Sequence, residues 1–270
     1  MASPLTVGGA VDGDMILRRV AAGTARPILV ADIPAFSSAP PLSNLLSRRT
    51  ENRPLYQVDP LGALSQDRPY ISVAELAAEA VGSFGRSQPA SGPVVVIGYC
   101  SAAALSLHIA TLLARSREAI AVLLRPSWPD TDGIQETFAS LAANVGARQL
   151  PCPDLDGDPD LCVRRMEKLL HAELETLATS QGLDGSADIF GELLLSYRSW
   201  LAFLLACRND PRTAWTGRPA AVRVLTEAPD AVTVPGLAFG EFLVSPLPVL
   251  DKDNPITPEV VELLVAQITA

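Results

Sequence analysis

The stretch Val94-Val95-Val96-Ile97-Gly98-Tyr99-Cys100-Ser101-Ala102-Ala103-Ala104-Leu105 passes from a β-branched run to an alanine-rich segment with only Gly98, Tyr99 and Cys100 between. β-branched residues favour the pleated strand and alanine the helix, so a buried strand must turn into a helix within three residues. A strand–nucleophile–helix turn of the G-x-S-x-G kind reads this way, with Cys100 in the serine's place. The helix N-terminus beyond it, through its free backbone N–H groups and its dipole, favours an anion. A buried core cysteine is the bland alternative. The turn signature favours a thiol facing a pocket.

Other apolar runs place this turn in a sheet. Arg26–Ala31, Pro54–Val58, Ala119–Leu124 and Ala221–Leu225 read as buried strands, and a helix from Leu42 to Arg49 separates the first two. Ser72 and Glu75 form a capping-box pattern at the head of a helix running to Val81. Strands alternating with helices imply a parallel sheet with helices on both faces, and sites in such sheets lie at the carboxyl ends of the strands. From Ser127 to Pro211 the pattern is helical with a polar break at Pro151–Pro159; a short strand is expected near Val232–Val234 and a terminal helix from Thr257 or Pro258 to Ile268. Residues 1–24 read as an N-terminal arm.

Composition narrows the functional classes. A chain of 270 residues, 48% hydrophobic and 19% charged, suits one globular domain. Its net charge of −9 argues against a nucleic-acid or anionic-membrane surface. The four cysteines show no CxxC spacing and the chain has two histidines, so neither a zinc site nor a cofactor is expected. No leader or apolar run of membrane length is read, so a cytoplasmic protein with reduced thiols is expected.

The element order over Arg26–Ile268 resembles the thioesterase family of nonribosomal peptide and polyketide assembly lines, a branch of the α/β-hydrolases. The resemblance rests on Ser72–Val81, on Ser91-Gly92-Pro93 leading the Val94–Cys100 strand and turn, and on Val234-Pro235-Gly236 before the C-terminal helix. It implies an α/β-hydrolase domain over 25–270, mostly parallel sheet, with a helical lid inserted at about 130–212. It also implies Ser101 N–H and the Ile33-Pro34-Ala35-Phe36 loop as oxyanion donors, and an acyl or peptidyl carrier protein bearing a phosphopantetheine thioester as partner.

The chain departs from the family pattern at three places besides the elbow, where Ala102 replaces the second glycine. The loop after the first strand, Ala31-Asp32-Ile33-Pro34-Ala35-Phe36, has no glycine. Leu123-Leu124-Arg125 puts a cation where the family's acid is expected, and Gly236-Leu237-Ala238-Phe239 puts Ala238 where its histidine is expected. His108 lies eight residues beyond Cys100, about 12 Å along the helix, and His171 falls within the lid. His108 reads more readily as a satisfied helix histidine, and His171 as part of a solvated helical face, than as a base. Asp130, Glu227 and Asp230 are the substitute acids on paper. Asp154, Asp156, Asp158 and Asp160 alternate as in a calcium loop, but Arg165 stands where the closing glutamate belongs.

Two functions follow. Thioester exchange between thiols is nearly thermoneutral, so Cys100 suits acyl or aminoacyl transfer, or slow hydrolysis, of carrier-bound thioesters. A degenerate thioesterase fold acting as a binding or scaffolding subunit is the alternative. Arg48-Arg49 and Arg164-Arg165 are the basic pairs expected near the mouth for an acidic carrier.

Overall fold

A computed structural model describes residues 16–33, 40–65, 68–88, 92–147, 150–182, 187–211, 219–238, 240–248 and 256–269. Seven strands form one sheet in the order β1-β3-β2-β4-β5-β6-β7. The strands are β1 (Leu17–Ala21), β2 (Ile28–Ala31), β3 (Leu55–Val58), β4 (Val94–Tyr99), β5 (Ala119–Leu124), β6 (Ala221–Thr226) and β7 (Leu243–Pro246). All pairings are parallel except that of β1 with β3. Strands β2, β3 and β5 are buried along their full length and β4 up to Gly98, which is why they read as continuous apolar runs.

Alternate residues of each strand feed two cores. On one face Leu29, Val94, Val96, Ala121 and Leu123 pack with α3 (Val73–Ser87) and α4 (Ala103–Leu113). On the other, Ile28, Val95, Ile97 and Val122 pack with α1 (Leu42–Ser47) and α8 (Pro258–Thr269). A short helix α2 (Pro60–Leu64) follows β3, with Asp59 as its N-cap. Between β5 and β6 the chain inserts α5 (Thr131–Asn144), α6 (Pro159–Ser180) and α7 (Ala187–Asn209). Among the described helices, Phe190–Asn209 of α7 is long and apolar enough to cross a membrane by length and composition. Here Leu201 through Cys207 are packed into the core instead.

Several expectations need correction. Leu17–Ala21, read as part of an arm, is the edge strand β1, paired antiparallel with β3; residues 1–15 lie outside the described residues. The strand expected at Val232–Val234 is not formed, and the last strand is β7 instead. Arg48 and Arg49 do not lie near the mouth. Helix α1 runs back to the amino edge of the sheet, where Asn52 O accepts from Thr24 N and Ala25 N ahead of β2, and Arg49 pairs with Glu262 of α8.

Candidate functional site

Cys100 directly follows β4 at φ +53, in the left-handed region, and opens a 3-10 turn over Cys100–Ala102 that continues as α4. A side chain with a Cβ is strained there, and such strain collects at functional sites. The close approach of strand and helix depends on Gly98: a Cβ on it would stand 2.5 Å from Ser106 Oγ and 3.0 Å from Ala102 O. Cys100 is exposed, and its Sγ lies 3.9 Å from Ser101 Oγ. Behind the turn, the buried Cys207 thiol of α7 donates to Ser101 O at 3.5 Å. The 3-10 turn is thereby held from the side of the inserted helices.

The loop after β2, expected to supply oxyanion donors, is described only at its start. Ala31 lies level with Gly98 in the register of β2 and β4, so Asp32 and Ile33 emerge on the same edge as Cys100. Ile33 is half-buried; Pro34, Ala35 and Phe36 lie outside the described residues. Asp32 anchors the loop's base: its Oδ2 accepts Ser43 N at 2.9 Å and Ser43 Oγ at 3.1 Å, and its Oδ1 accepts Gln57 Nε2 at 2.8 Å. Burial pushes the Asp32 carboxyl above the usual carboxylate range, and these hydrogen bonds oppose that shift. Ser101, whose N–H was the other expected donor, sits in the first turn of the 3-10 segment, where amides lack intrahelical partners.

Where the family pattern would hold its acid, Arg125 leaves β5 at φ +48 and pairs with Glu227, which follows β6. Burial pushes the Tyr99 phenol up, a charge on Cys100 would push it further, and Arg125, hydrogen-bonded to it, opposes. Tyr99, Arg125 and Glu227 thus form a cluster beside the elbow. The non-glycine residues at positive φ among the described residues are Asn52, Cys100 and Arg125; the last two directly follow adjacent strands at this edge. Sequence reasoning named Arg125 and Glu227 separately and missed their pairing.

The remaining candidates are drawn elsewhere. Ala238 is exposed, and its N–H donates to Glu241 Oε2 at 2.7 Å; Phe239 lies outside the described residues. His108 Nε2 lies 2.9 Å and 3.0 Å from the two carboxylate oxygens of Asp210 at the end of α7. His171 is exposed on α6 beside Glu175, 3.5 Å away. Asp130 caps α5 through Gly133 N, and Asp230 is exposed in a 3-10 turn. In the Asp-rich break, Asp154 accepts from Asp156 N, Asp156 pairs with Arg208, and Asp158 caps α6 through Leu161 N. These are turn, pairing and capping roles. Among the described residues no three His, Cys, Asp or Glu side chains gather as a metal group.

No family model matches the chain, and no curated protein matches it in sequence. Among solved structures it is similar to a four-domain nonribosomal peptide synthetase bound to AMP and glycine. That match has TM-score 0.58 and 18% identity over 95% of this chain, which spans 20% of the synthetase. The NocB thioesterase domain from the nocardicin cluster matches with TM-score 0.56 and 13% identity, covering 95% of this chain and 100% of that domain. An α/β-hydrolase family protein from Desulfitobacterium hafniense gives TM-score 0.54 and 16% identity, covering 94% of this chain and 100% of its own. At these identities the likeness is one of fold. The chain therefore has the α/β-hydrolase fold in the form taken by thioesterase domains of nonribosomal peptide synthesis, with a cysteine at the elbow.

Proposed function

We propose that the protein carries acyl groups on Cys100, exchanging them with thioesters borne by the phosphopantetheine arm of an acyl or peptidyl carrier protein. The observation that carries the reading is the exposed Cys100 held at φ +53 on the elbow. A glycine would occupy that backbone conformation without cost, so a thiol kept there against strain is best explained by use. In the transfer, the Cys100 sulfur attacks the thioester carbonyl, the pantetheine sulfur leaves, and the proton lost by one thiol is taken up by the other. A second thiol or an amine then takes the acyl group by the reverse attack. Ser101 N–H and the loop after Asp32 are the oxyanion donors of this scheme, and the inserted helices act as its lid.

The absence of an imidazole at Ala238 favours exchange over hydrolysis, because water needs deprotonation and a thiolate does not. Incubation with an aminoacyl- or acyl-loaded carrier protein should add the acyl mass to the intact protein, and Cys100→Ala should abolish the adduct. No adduct with any loaded carrier would favour the second reading, a scaffold that binds a partner without chemistry. That reading draws on the Arg125–Glu227 pair, which neutralises the acid position. For docking, Arg164 and Arg165 are exposed on α6. Reversing both to glutamate should weaken carrier binding several-fold at low salt and little at high salt; unchanged binding would remove α6 from the interface.

A further inference from the structure

A cavity of about 240 Å³ lies between α2 and α7, lined by Asp59, Leu61, Ser65, Leu195, Ser196 and Ser199 among others. Asp59 follows β3, so the cavity opens at the same carboxyl edge of the sheet as Cys100. With β2 between β3 and β4, the lateral separation is about 10 Å at ordinary strand spacing. Its polar groups are unevenly committed. Ser65 Oγ donates to Gly62 O at 2.8 Å, and Ser196 Oγ donates to Glu192 O at 2.9 Å, so both hydroxyl protons are spent and only lone pairs remain. Asp59 Oδ1 accepts Leu61 N at 3.0 Å, and a carboxylate has capacity for further donors. Ser199 is 1% exposed, and its Oγ has no hydrogen-bond partner among the described residues. Buried hydroxyls are ordinarily satisfied.

Such a cavity sets several acceptors against one uncommitted donor, the Ser199 O–H, carries one carboxylate, and has leucine walls. We propose that it is an ammonium site, taking a primary amine on a short aliphatic stem. Asp59 supplies the counter-charge, the serine oxygens accept the remaining N–H groups, and Leu61 and Leu195 flank the stem. Burial raises the Asp59 carboxyl above its usual range; hydrogen bonds from the Leu61 and Gly62 amides oppose this, the Asp32 charge adds to it, and Arg18 opposes it. A bound cation would relieve that cost. The amine has two sources: the far end of an acyl group on Cys100, which rests on the function proposed above, or a free small amine, which does not.

Calorimetric titration of the full chain with cadaverine tests the site independently of Cys100, with n-pentanol as the uncharged control. Cadaverine should bind and pentanol should not. Ser199→Ala and Asp59→Asn should each weaken cadaverine by at least about tenfold, roughly the worth of a charge-assisted hydrogen bond. Asparagine preserves the α2 cap, and Ser199→Ala removes an orphaned hydroxyl, so thermal stability should hold or rise in the latter. No cadaverine binding, or binding indifferent to both substitutions, overturns the proposal. Matched ε-aminocaproyl and caproyl thioesters of N-acetylcysteamine separate the sources. Faster Cys100 labelling by the amine-bearing thioester, lost in Ser199→Ala, assigns the site to the acyl group; equal labelling with cadaverine still bound assigns it to a free amine. If neither thioester labels Cys100 while cadaverine binds, the transfer reading fails and the ammonium site stands.

Discussion

Gly98 decides whether the elbow can form. A methyl group there would stand 2.7 Å from Ser106 Cβ as well as 2.5 Å from its Oγ, and Ser106 Oγ already donates to Ile97 O at 3.2 Å. Gly98→Ala should therefore push α4 off β4 and cost about 1–3 kcal/mol in chemical denaturation. Adding Ser106→Ala should recover only part of this, because the Cβ clash remains. Undiminished stability in Gly98→Ala would show that the helix can ride away from the strand freely. The turn at Gly98 was legible beforehand, since strand, turn and helix adjoin in the chain; the close approach that demands glycine was not. The Arg125–Glu227 pair was not. Its members follow different strands, β5 and β6, and only the sheet order makes those neighbours. For the same reason the orphaned hydroxyl of Ser199 leaves no trace in the helical pattern between Ser127 and Pro211.

At the scale of elements, legibility follows burial. Strands β2 to β6 announced themselves through apolar runs, because both faces of a parallel sheet are covered. The edges did not: β1 reads Leu-Arg-Arg-Val-Ala with two exposed arginines, and β7 exposes Leu243 by 65% and ends at Pro246. The inserted helices were visible as periodic stretches, but not what ties them together. Arg208, in the last turn of α7, donates to Thr131 Oγ1 at 3.1 Å and Leu155 O at 3.0 Å and pairs with Asp156. It joins the start of α5, the Asp-rich break and the end of α7. Arg208→Met keeps the apolar stem and removes these three contacts together with a local bond to Asn209 Oδ1, so it should cost roughly 2 kcal/mol and speed amide exchange over 154–162 more than over α4. Asp156→Asn should cost far less, since Asp156 is 78% exposed and an exposed ion pair contributes little. Unaltered exchange in Arg208→Met would deny it the clasping role.

At the scale of the molecule, the carboxyl edge of the sheet concentrates acid where the fold is dry. Asp32 and Asp59 follow the adjacent strands β2 and β3, and burial raises both carboxyls above their usual range. A carboxyl whose folded-state pKa is raised holds its proton longer in the folded state than in the unfolded chain. Unfolding then releases protons, so stability falls as pH rises from about 4, the unfolded value, through the raised folded one. Self-repulsion in a chain of net charge −9 acts in the same direction, but salt screens it, whereas a desolvation cost at a buried carboxyl persists in salt. Asp32→Asn separates the two. The substitution has a fixed cost, because an amide nitrogen cannot accept from Ser43 N as the carboxylate does, and that cost does not titrate. The stability of the parent minus that of Asp32→Asn, measured by denaturation in high salt, should therefore shrink as pH rises from 4 towards 7. A difference that grows over that range would mean the hydrogen bonds from Ser43 and Gln57 outweigh burial and hold Asp32 as a stabilised anion at the end of β2.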